Sequence, residues 1–403
     1  MHLHLRMIFK GFLENDSIGA VKPMRITLVT SSLGRGGAER VMSILASSWA
    51  GQDKEVTLLR LDHGEIPAYP IDPRVKLRSL GLVAESRNLV HGMFRNLNRI
   101  RVLRHAIRES RPDVVIGFQS TTNVLTLLAT RGLGAPVVVS EHSDPSRSDI
   151  GRAWNKLRCR TYPLAHALVC PTNSALHFFQ EKIKVVGRTI PNPIAVPSAE
   201  LVRYGAHPGR SSKRYTLIGM GRLVQSKGFD ILLYAFSRIA NSHPDWSLKI
   251  LGEGPLKQEL QSRAEAFGLT DRVYFAGEVR DPFPELCAAD LFVFPSRFEA
   301  FGLALCEAMA CGLPVVSFDC PSGPREIIRD GLDGVLVPPE DAGALSTVLH
   351  RLMNDPAERQ RLASRAPEVL KRFDLDRILF LWEQLFEDLT LAKQGQFVSH
   401  DRM

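Results

Sequence analysis

Short runs of apolar residues recur along this chain with helix-like stretches between them. Residues 25–31, RITLVTS, form a β-branched run; SLGRGGAER then supplies a glycine turn, and VMSILASSWA has the amphipathic spacing of a helix. The unit repeats through EVTLLRL (55–61), DVVIGF (113–118), PVVVSEH (136–142) and ALVCPT (167–172). Runs that are apolar throughout predict strands buried on both faces, the signature of a parallel sheet under helices. Residues 196–214 interrupt the rhythm with Pro, Gly, Ser and charge and read as a connection between domains. The alternation then resumes in YTLIGMGRL (215–223), SLKILGEG (247–254), VYFAGEV (273–279), LFVFPS (291–296), PVVSFD (314–319) and GVLVPP (334–339).

The expectation is an α/β chain with one domain over 24–195, a linker over 196–213 and a second domain over 214–372. Residues 1–23 precede the first strand as an extension to which the pattern gives no role. Beyond 372, apolar residues at 375, 378, 379, 382, 385, 386 and 389 make a helical stripe over 373–392 that must pack against something, with Asp374 to Asp376 capping its start and 393–403 as a tail.

Composition bounds this picture. With 403 residues and 44% hydrophobic content the chain can bury a large core, and its length suits two domains. It has no run of eighteen apolar residues, and the interrupted N-terminal MHLHLRMIFKGFLENDSIGA is too short for a signal or spanning segment, so a cytoplasmic protein is expected. Six cysteines without a C-x-x-C pair argue against a zinc site and a disulfide framework; they are expected to be reduced and mostly buried. The net charge of +8 is uneven: residues 1–200 hold 27 Lys or Arg against 16 Asp or Glu, and the remainder 24 against 27. The excess in the first half points to an acidic partner, whether membrane surface, nucleic acid or phosphorylated substrate.

The chemistry concentrates in FPSRFEAFGLALCEAMACGLPVVSFDCPSGPREI, which holds Glu299 before a predicted helix over 301–311 and Glu307 within it. Eight residues of helix separate two side chains by about 12 Å of rise, too far for one adjacent acid–base pair, so the carboxylates must have separate tasks. A loop carboxylate can accept hydrogen bonds from ligand hydroxyls, and free amides between Glu299 and Leu303 suit a phosphate. In GMGRLVQSKGFD, Arg222 and Lys227 follow a strand ending in Gly219 and Gly221, where an open α/β sheet places its ligand crevice. Val224 occupies the third glycine position of a dinucleotide fingerprint, which makes a nicotinamide site less apt. In the first half, Gly36 and Gly37 allow close backbone approach before Glu39 and Arg40 open a helix, and His142 lies at a strand's carboxyl end in SEHSDPS.

Taken together, GGAER, GRLVQSKGFD, LGEGPLKQEL, VYFAGEV and PSRFEAFGLALCEAMACGLPVV resemble, in order, the family 4 glycosyltransferases of the GT-B fold, over about residues 24–390. The resemblance implies two Rossmann-like domains facing across a cleft, a C-terminal helix crossing back to the first, and retaining transfer of a sugar from a nucleotide donor. It implies that Arg222 and Lys227 hold the donor diphosphate and stabilise the leaving nucleotide. Glu299, with the amides of Phe301 and Gly302, would bind sugar hydroxyls, with Gly221 and Leu303 beside the donor. Glu307 would take the ribose, His142 would lie beside the transferred sugar, and Gly36 and Gly37 would line the phosphate and acceptor side. No metal and no other cofactor is expected.

Between Arg87 and Arg111 the chain is rich in arginine, carries a single acid and interleaves Leu, Val, Met, Phe and Ile at helical spacings; RAWNKLRCR (152–160) adds more cations. A basic amphipathic helix suits an anionic membrane surface. With the family resemblance this points to a lipid-linked saccharide acceptor at the inner face of the membrane, with no nucleic acid partner. SFDCPSGPREII (317–328) resembles the donor loop of bacterial surface-glycan transferases and favours a UDP-sugar, hexose or N-acetylhexosamine, over GDP-mannose. Two other classes compete: a sugar-nucleotide epimerase of the same architecture, and a non-enzymatic basic membrane-binding module, which would leave Arg222, Lys227 and Glu299 unexplained.

Overall fold

The computed structural model describes residues 22–64, 66–82, 89–144, 147, 150–198, 200 and 214–393. The expected extension before residue 22, most of the linker, the start of the arginine-rich segment and the tail after 393 lie outside them. Every apolar run named above becomes a strand. β1 (Arg25–Thr30), β2 (Glu55–Arg60), β4 (Val114–Phe118), β5 (Val137–Ser140) and β6 (Ala167–Cys170) build the first sheet, with β3 (Lys76–Ser79) and β7 (Gly187–Thr189) at its edges. The order is β3-β2-β1-β4-β5-β6-β7, all parallel; Ile26 of β1, for example, pairs with Val56 and Val114. The second sheet runs β10 (Val273–Gly277), β9 (Trp246–Leu251), β8 (Tyr215–Met220), β11 (Leu291–Phe294), β12 (Val315–Phe318) and β13 (Val335–Val337), again all parallel. Both sheets therefore reverse direction beside their first strand, at β1/β4 and β8/β11, where an open sheet leaves a crevice at its carboxyl edge.

Successive side chains of the central strands enter opposite cores. Ile26 and Leu28 pack on one face of the first sheet with α1 (Gly37–Gly51), while Val29 packs on the other with α2 (Leu89–Ser110) and α3 (Ser120–Thr130). In the second sheet Leu217 faces the core that includes α6 (Phe229–Ser237), and Ile218 faces that of α9 (Leu303–Ala310). Between α3 and α6 lie α4 (Arg152–Thr161) and α5 (Asn173–Lys182); between α6 and α9 lie α7 (Lys257–Ala266) and α8 (Phe283–Cys287).

The final helix, α14 (Leu375–Lys393), follows α10 (Pro324–Ile327), α11 (Ala342–Asn354), α12 (Pro356–Arg365) and α13 (Leu370–Phe373). Asp374 Oδ1 accepts from the Arg377 amide at 2.8 Å and so caps it. Its stripe of Ile378, Leu379, Trp382, Leu385, Phe386 and Leu389 is buried in the core of the first domain, not the second. Trp382 meets Trp49 edge-on at 5.7 Å, Phe386 lies 5.5 Å from the same ring, and Glu383 pairs with Lys54 at 2.7 Å. The chain thus returns across the cleft. All six cysteines are free, and Cys159 alone is exposed.

Candidate active site

The loops at the carboxyl edge of the second sheet carry Arg222, Lys227, Arg297 and Glu299. After β8 the chain makes a short 3-10 turn, Gln225–Lys227, that ends at Gly228 with φ +66°. A Cβ at Gly228 would lie 1.9 Å from the carbonyl oxygen of Pro295, so only glycine lets this turn press against the end of β11. Arg297 ties the turn down: it grips Asp230 with two bonds of 2.8 and 2.7 Å, donates to the Gln225 carbonyl at 2.6 Å and meets Glu340 at 2.8 Å. This frame directs Lys227 to Glu299, with which it forms an ion pair, above the Phe294 ring at 5.8 Å. Ser296 Oγ donates to the same Glu299 oxygen at 2.7 Å. Arg222 is exposed and makes no ion pair with any described residue.

The helix starts two residues later than the sequence suggested. α9 begins at Leu303, because Gly302 has φ +119° and ends a loop rather than opening a turn. Phe301 and Gly302 are buried in that loop between Glu299 and the helix. Glu299 and Glu307 consequently face different surroundings. Glu307 is only 1% exposed, and burial pushes its carboxyl up to about 7 although Arg40 of the first domain pulls the other way. Arg40 forms an ion pair with it across the cleft and lies 5.8 Å from the Tyr69 ring.

The first domain presents a loop after β1, with Gly36 preceding α1 and Glu39 folded back against it. Gly37 is exposed, and a Cβ there would stand 3.4 Å from Leu303 Cδ1, so the glycine turn faces the start of α9. A second bridge spans the cleft between Arg35 and Glu278. At the end of β4, Gln119 holds φ +72°, a conformation that costs free energy in a residue with a side chain. Its amide group accepts from Ser31 Oγ at 2.8 Å and donates to Glu39 at 2.7 Å, which ties the β1 and β4 loops together at the switch point.

His142 follows β5, stacked on Phe118 at 5.0 Å and 7° between planes, with Nε2 2.9 Å from Ser140 Oγ. Burial holds its ring down to about 4, so it is neutral at ordinary pH. Its neighbour Glu141 is buried and bonded by Ser120 at 2.9 Å, Asn123 at 3.4 Å and the Tyr162 hydroxyl. That network fixes the strand end from which His142 projects.

Arg222, Lys227, Glu299 and Gly221 thus lie on one side of the cleft, with Gly37 facing α9 from the other. Such an edge can hold an anion between Arg222 and Lys227 and present Glu299 to hydroxyls beside it. Among the described residues no three His, Cys, Asp or Glu side chains are grouped to hold a metal ion. Arg40 and Gln119 were not singled out as site residues by the sequence. Arg40 is adjacent to the glycine turn, but no linear pattern pairs residue 40 with residue 307, and a positive φ at glutamine leaves no trace in composition.

Two parallel sheets opposed at their switch points, with a last helix crossing back, define the GT-B fold. The glycosyl transferases group 1 model matches residues 206–369 and the glycosyltransferase family 4 model residues 35–196. The lipopolysaccharide core biosynthesis glycosyltransferase LpsE of Rhizobium meliloti is 30% identical over 346 residues, 83% of this chain and 91% of that protein. A Campylobacter jejuni protein is 28% identical over 370 residues, 92% of this chain and 100% of its own length. It is named GalNAc-alpha-(1->4)-GalNAc-alpha-(1->3)-diNAcBac-PP-undecaprenol alpha-1,4-N-acetyl-D-galactosaminyltransferase. An exopolysaccharide phosphotransferase of Streptomyces coelicolor is 30% identical over 395 residues, 91% of this chain, which spans only 41% of that longer protein. Sucrose-phosphate synthase from Thermosynechococcus elongatus superposes with a TM-score of 0.78 at 19% identity, covering 91% of this chain and all of that one. Anabaena HepE, solved in complex with UDP and glucose, superposes at 0.73 and 19% identity over 91% and 99%. The chain belongs to glycosyltransferase family 4.

Proposed function

We propose that this glycosyltransferase moves a hexose or N-acetylhexosamine, with retention, from a UDP-sugar to a lipid-linked saccharide in the assembly of a cell-surface polysaccharide or glycan. One observation carries the reading: the ion-paired Lys227 and Glu299 lie on the loops after β8 and β11, at the switch point, and Arg222 lies on the same loop as Lys227. As the bond from sugar to diphosphate breaks, negative charge grows on the leaving oxygen, and the two cations stabilise it without a metal. Glu299 holds hydroxyls of the oxocarbenium-like sugar, and the acceptor hydroxyl attacks from the face the nucleotide leaves, passing its proton to the departing diphosphate oxygen. The ribose falls to Glu307 only once the Arg40 ion pair that buries it opens, and His142, neutral, borders the sugar. The C. jejuni relative, named for a PP-undecaprenol substrate, supports a lipid-linked acceptor, and the UDP in HepE supports the donor.

Surface charge supports peripheral membrane association. No helix among the described residues is long and apolar enough to cross a membrane. In α2, Arg99 and Arg104 donate to backbone carbonyls, but Arg101 and Arg108, seven residues apart, are exposed on one face near exposed Leu97. α4 adds exposed Arg152, Lys156 and Arg160 around exposed Leu157. This surface suits peripheral binding to anionic lipid on the cytoplasmic side.

The test is a donor screen: purified protein with UDP-, GDP- and ADP-sugars and a bacterial lipid extract, with nucleotide release followed with and without EDTA. Release of UDP that needs the lipid fraction and ignores EDTA is the expected result. Release that EDTA abolishes would overturn the metal-free chemistry, and release without lipid or product would favour an epimerase-like side reaction.

A further inference from the structure

α5 of the first domain begins with two amides that its own residues leave open. Thr172 Oγ1 accepts from the Ala175 amide at 3.3 Å, but the amides of Asn173 and Ser174 donate to a residue of the second domain, Glu326, at 2.8 and 3.0 Å. Asn173 Nδ2 and Ser174 Oγ add bonds of 3.2 and 3.0 Å to the same carboxylate. Thr189 Oγ1 donates to Asn173 Oδ1 at 2.7 Å, which turns the Asn173 amide so that Nδ2 faces Glu326. A carboxylate at the positive end of a helix, with four donors, is a strong attachment for one side chain.

From Glu326 the contacts lead to the donor loop. Gly323, three residues earlier, has φ +92°, and a Cβ there would stand 2.1 Å from the Phe301 carbonyl oxygen, so this segment lies directly on the loop between Glu299 and α9. Ile327 Cδ1 stands 3.4 Å from where a Cβ on Gly302 would be. Phe301 is 3% exposed and meets Phe373 edge-on at 5.2 Å, while Arg372 donates to the Ile327 carbonyl at 2.6 Å and fixes the end of α10. Asn173, Thr189, Phe301 and Glu326 all border one half-open pocket of about 380 Å³ between the domains.

We propose that Glu326 is a positioning residue for transfer: by capping α5 it ties the first domain to the loop that carries Glu299 and keeps donor and acceptor sides in register. The inference rests on the reading of that loop as the donor-sugar site. Both Glu326 oxygens are taken up by Asn173 and Ser174. Glu326 acts through Gly323, Ile327 and the backbone of Phe301 and Gly302.

The tie can be cut from either side. Glu326→Ala removes the acceptor. Asn173→Pro removes one amide and the side-chain donor at the first helical position, where proline is tolerated, after a Thr172 already extended at φ −137° and ψ 151°. Three readouts are taken on wild type, both variants and Glu326→Asp: hydrogen–deuterium exchange over 299–303, UDP binding by calorimetry, and nucleotide release with lipid extract. Both cuts are expected to lower turnover by about tenfold or more and leave UDP affinity within about threefold, because misplacement rather than lost binding is at work. Exchange over 299–303 should quicken in Asn173→Pro although no residue of that domain is altered, and Glu326→Asp should recover part of each effect. Wild-type exchange over 299–303 in Asn173→Pro would overturn the proposal, as would a loss of UDP affinity as large as the loss of turnover. If wild-type protein releases no nucleotide from any donor, the transferase chemistry has failed, and the exchange measurement still decides the tie.

Discussion

The two sheets share one strand order around their switch points, yet they bring different material to the cleft. The second domain contributes an ion pair, Lys227 with Glu299, and Arg222, which is exposed and has no ion pair among the described residues, with Arg297 holding the Lys227 turn down. The first contributes a glycine turn, a strained Gln119, a neutral His142 on a buried polar network, and two cations, Arg35 and Arg40, that reach over to Glu278 and Glu307. Topology places both crevices; the second holds the Lys227–Glu299 pair, and the first sends Arg35 and Arg40 across to Glu278 and Glu307. Besides exposed Arg35 at the cleft, the first domain carries exposed charge on α2 and α4.

The comparison breaks most sharply at α14, which follows the second domain in sequence and packs in the first. Trp382→Ala removes a ring buried against Trp49 and Phe386, at a cost of about 3–5 kcal/mol. The loss should fall on the first domain, so denaturant unfolding followed by exchange should show α1 and β1 opening early while α6 and β8 keep wild-type protection. Equal loss in both domains would show that they unfold as one unit. Lys227→Ala tests the opposite side. Nucleotide release should fall by about 10²- to 10³-fold with the melting temperature little changed, as for removal of one preorganised donor to a developing anion. Full activity in that variant would remove the cation from the chemistry.

Smaller effects belong to the first domain's surface. Replacing Arg101 and Arg108 by Gln should weaken binding to vesicles containing anionic lipid by about fivefold per charge, from about 1 kcal/mol each, and should leave release of UDP in detergent unchanged. Binding that persists would shift the docking surface to α4.

Much of this architecture was legible because the physics was local. Central strands had to be apolar on both faces, so each left a run in the sequence, and the helical stripe after 373 named the buried face of α14. The edge strands β3 and β7 left none: KLRS is wholly exposed and GRT lies at the sheet margin, so neither needed an apolar run. Arg222, Lys227 and Glu299 were legible as residues because each lies just past a strand end. Their arrangement was not, since Arg297 grips Asp230 from 67 positions away, and the partner of Glu307 is 267 positions distant. Glu326 escaped notice for the same reason. Its work depends on a helix start in the other domain, and a glutamate in GPREII reads only as a first-turn acid.

The finest contrast is between two buried titrating groups, one in each domain. His142 is held down to about 4 and Glu307 is pushed up to about 7, both chiefly by burial. Between pH 4 and 6.5 the unfolded chain binds a proton at residue 142 that the folded protein refuses, so His142 makes stability rise with pH by up to about 1.4 kcal/mol per unit. Between pH 4.5 and 7 the folded protein keeps a proton on Glu307 that the unfolded chain has lost, so Glu307 makes stability fall with pH by a similar slope of about 1.4 kcal/mol per unit. From pH 4.5 to 6.5 the two oppose each other. Relative to wild type, His142→Phe should therefore lose stability as pH rises through this window, and Glu307→Gln should gain it. Urea midpoints at pH 4.5, 5.5 and 6.5 check both signs, and parallel curves for the three proteins would show that neither group titrates differently once folded.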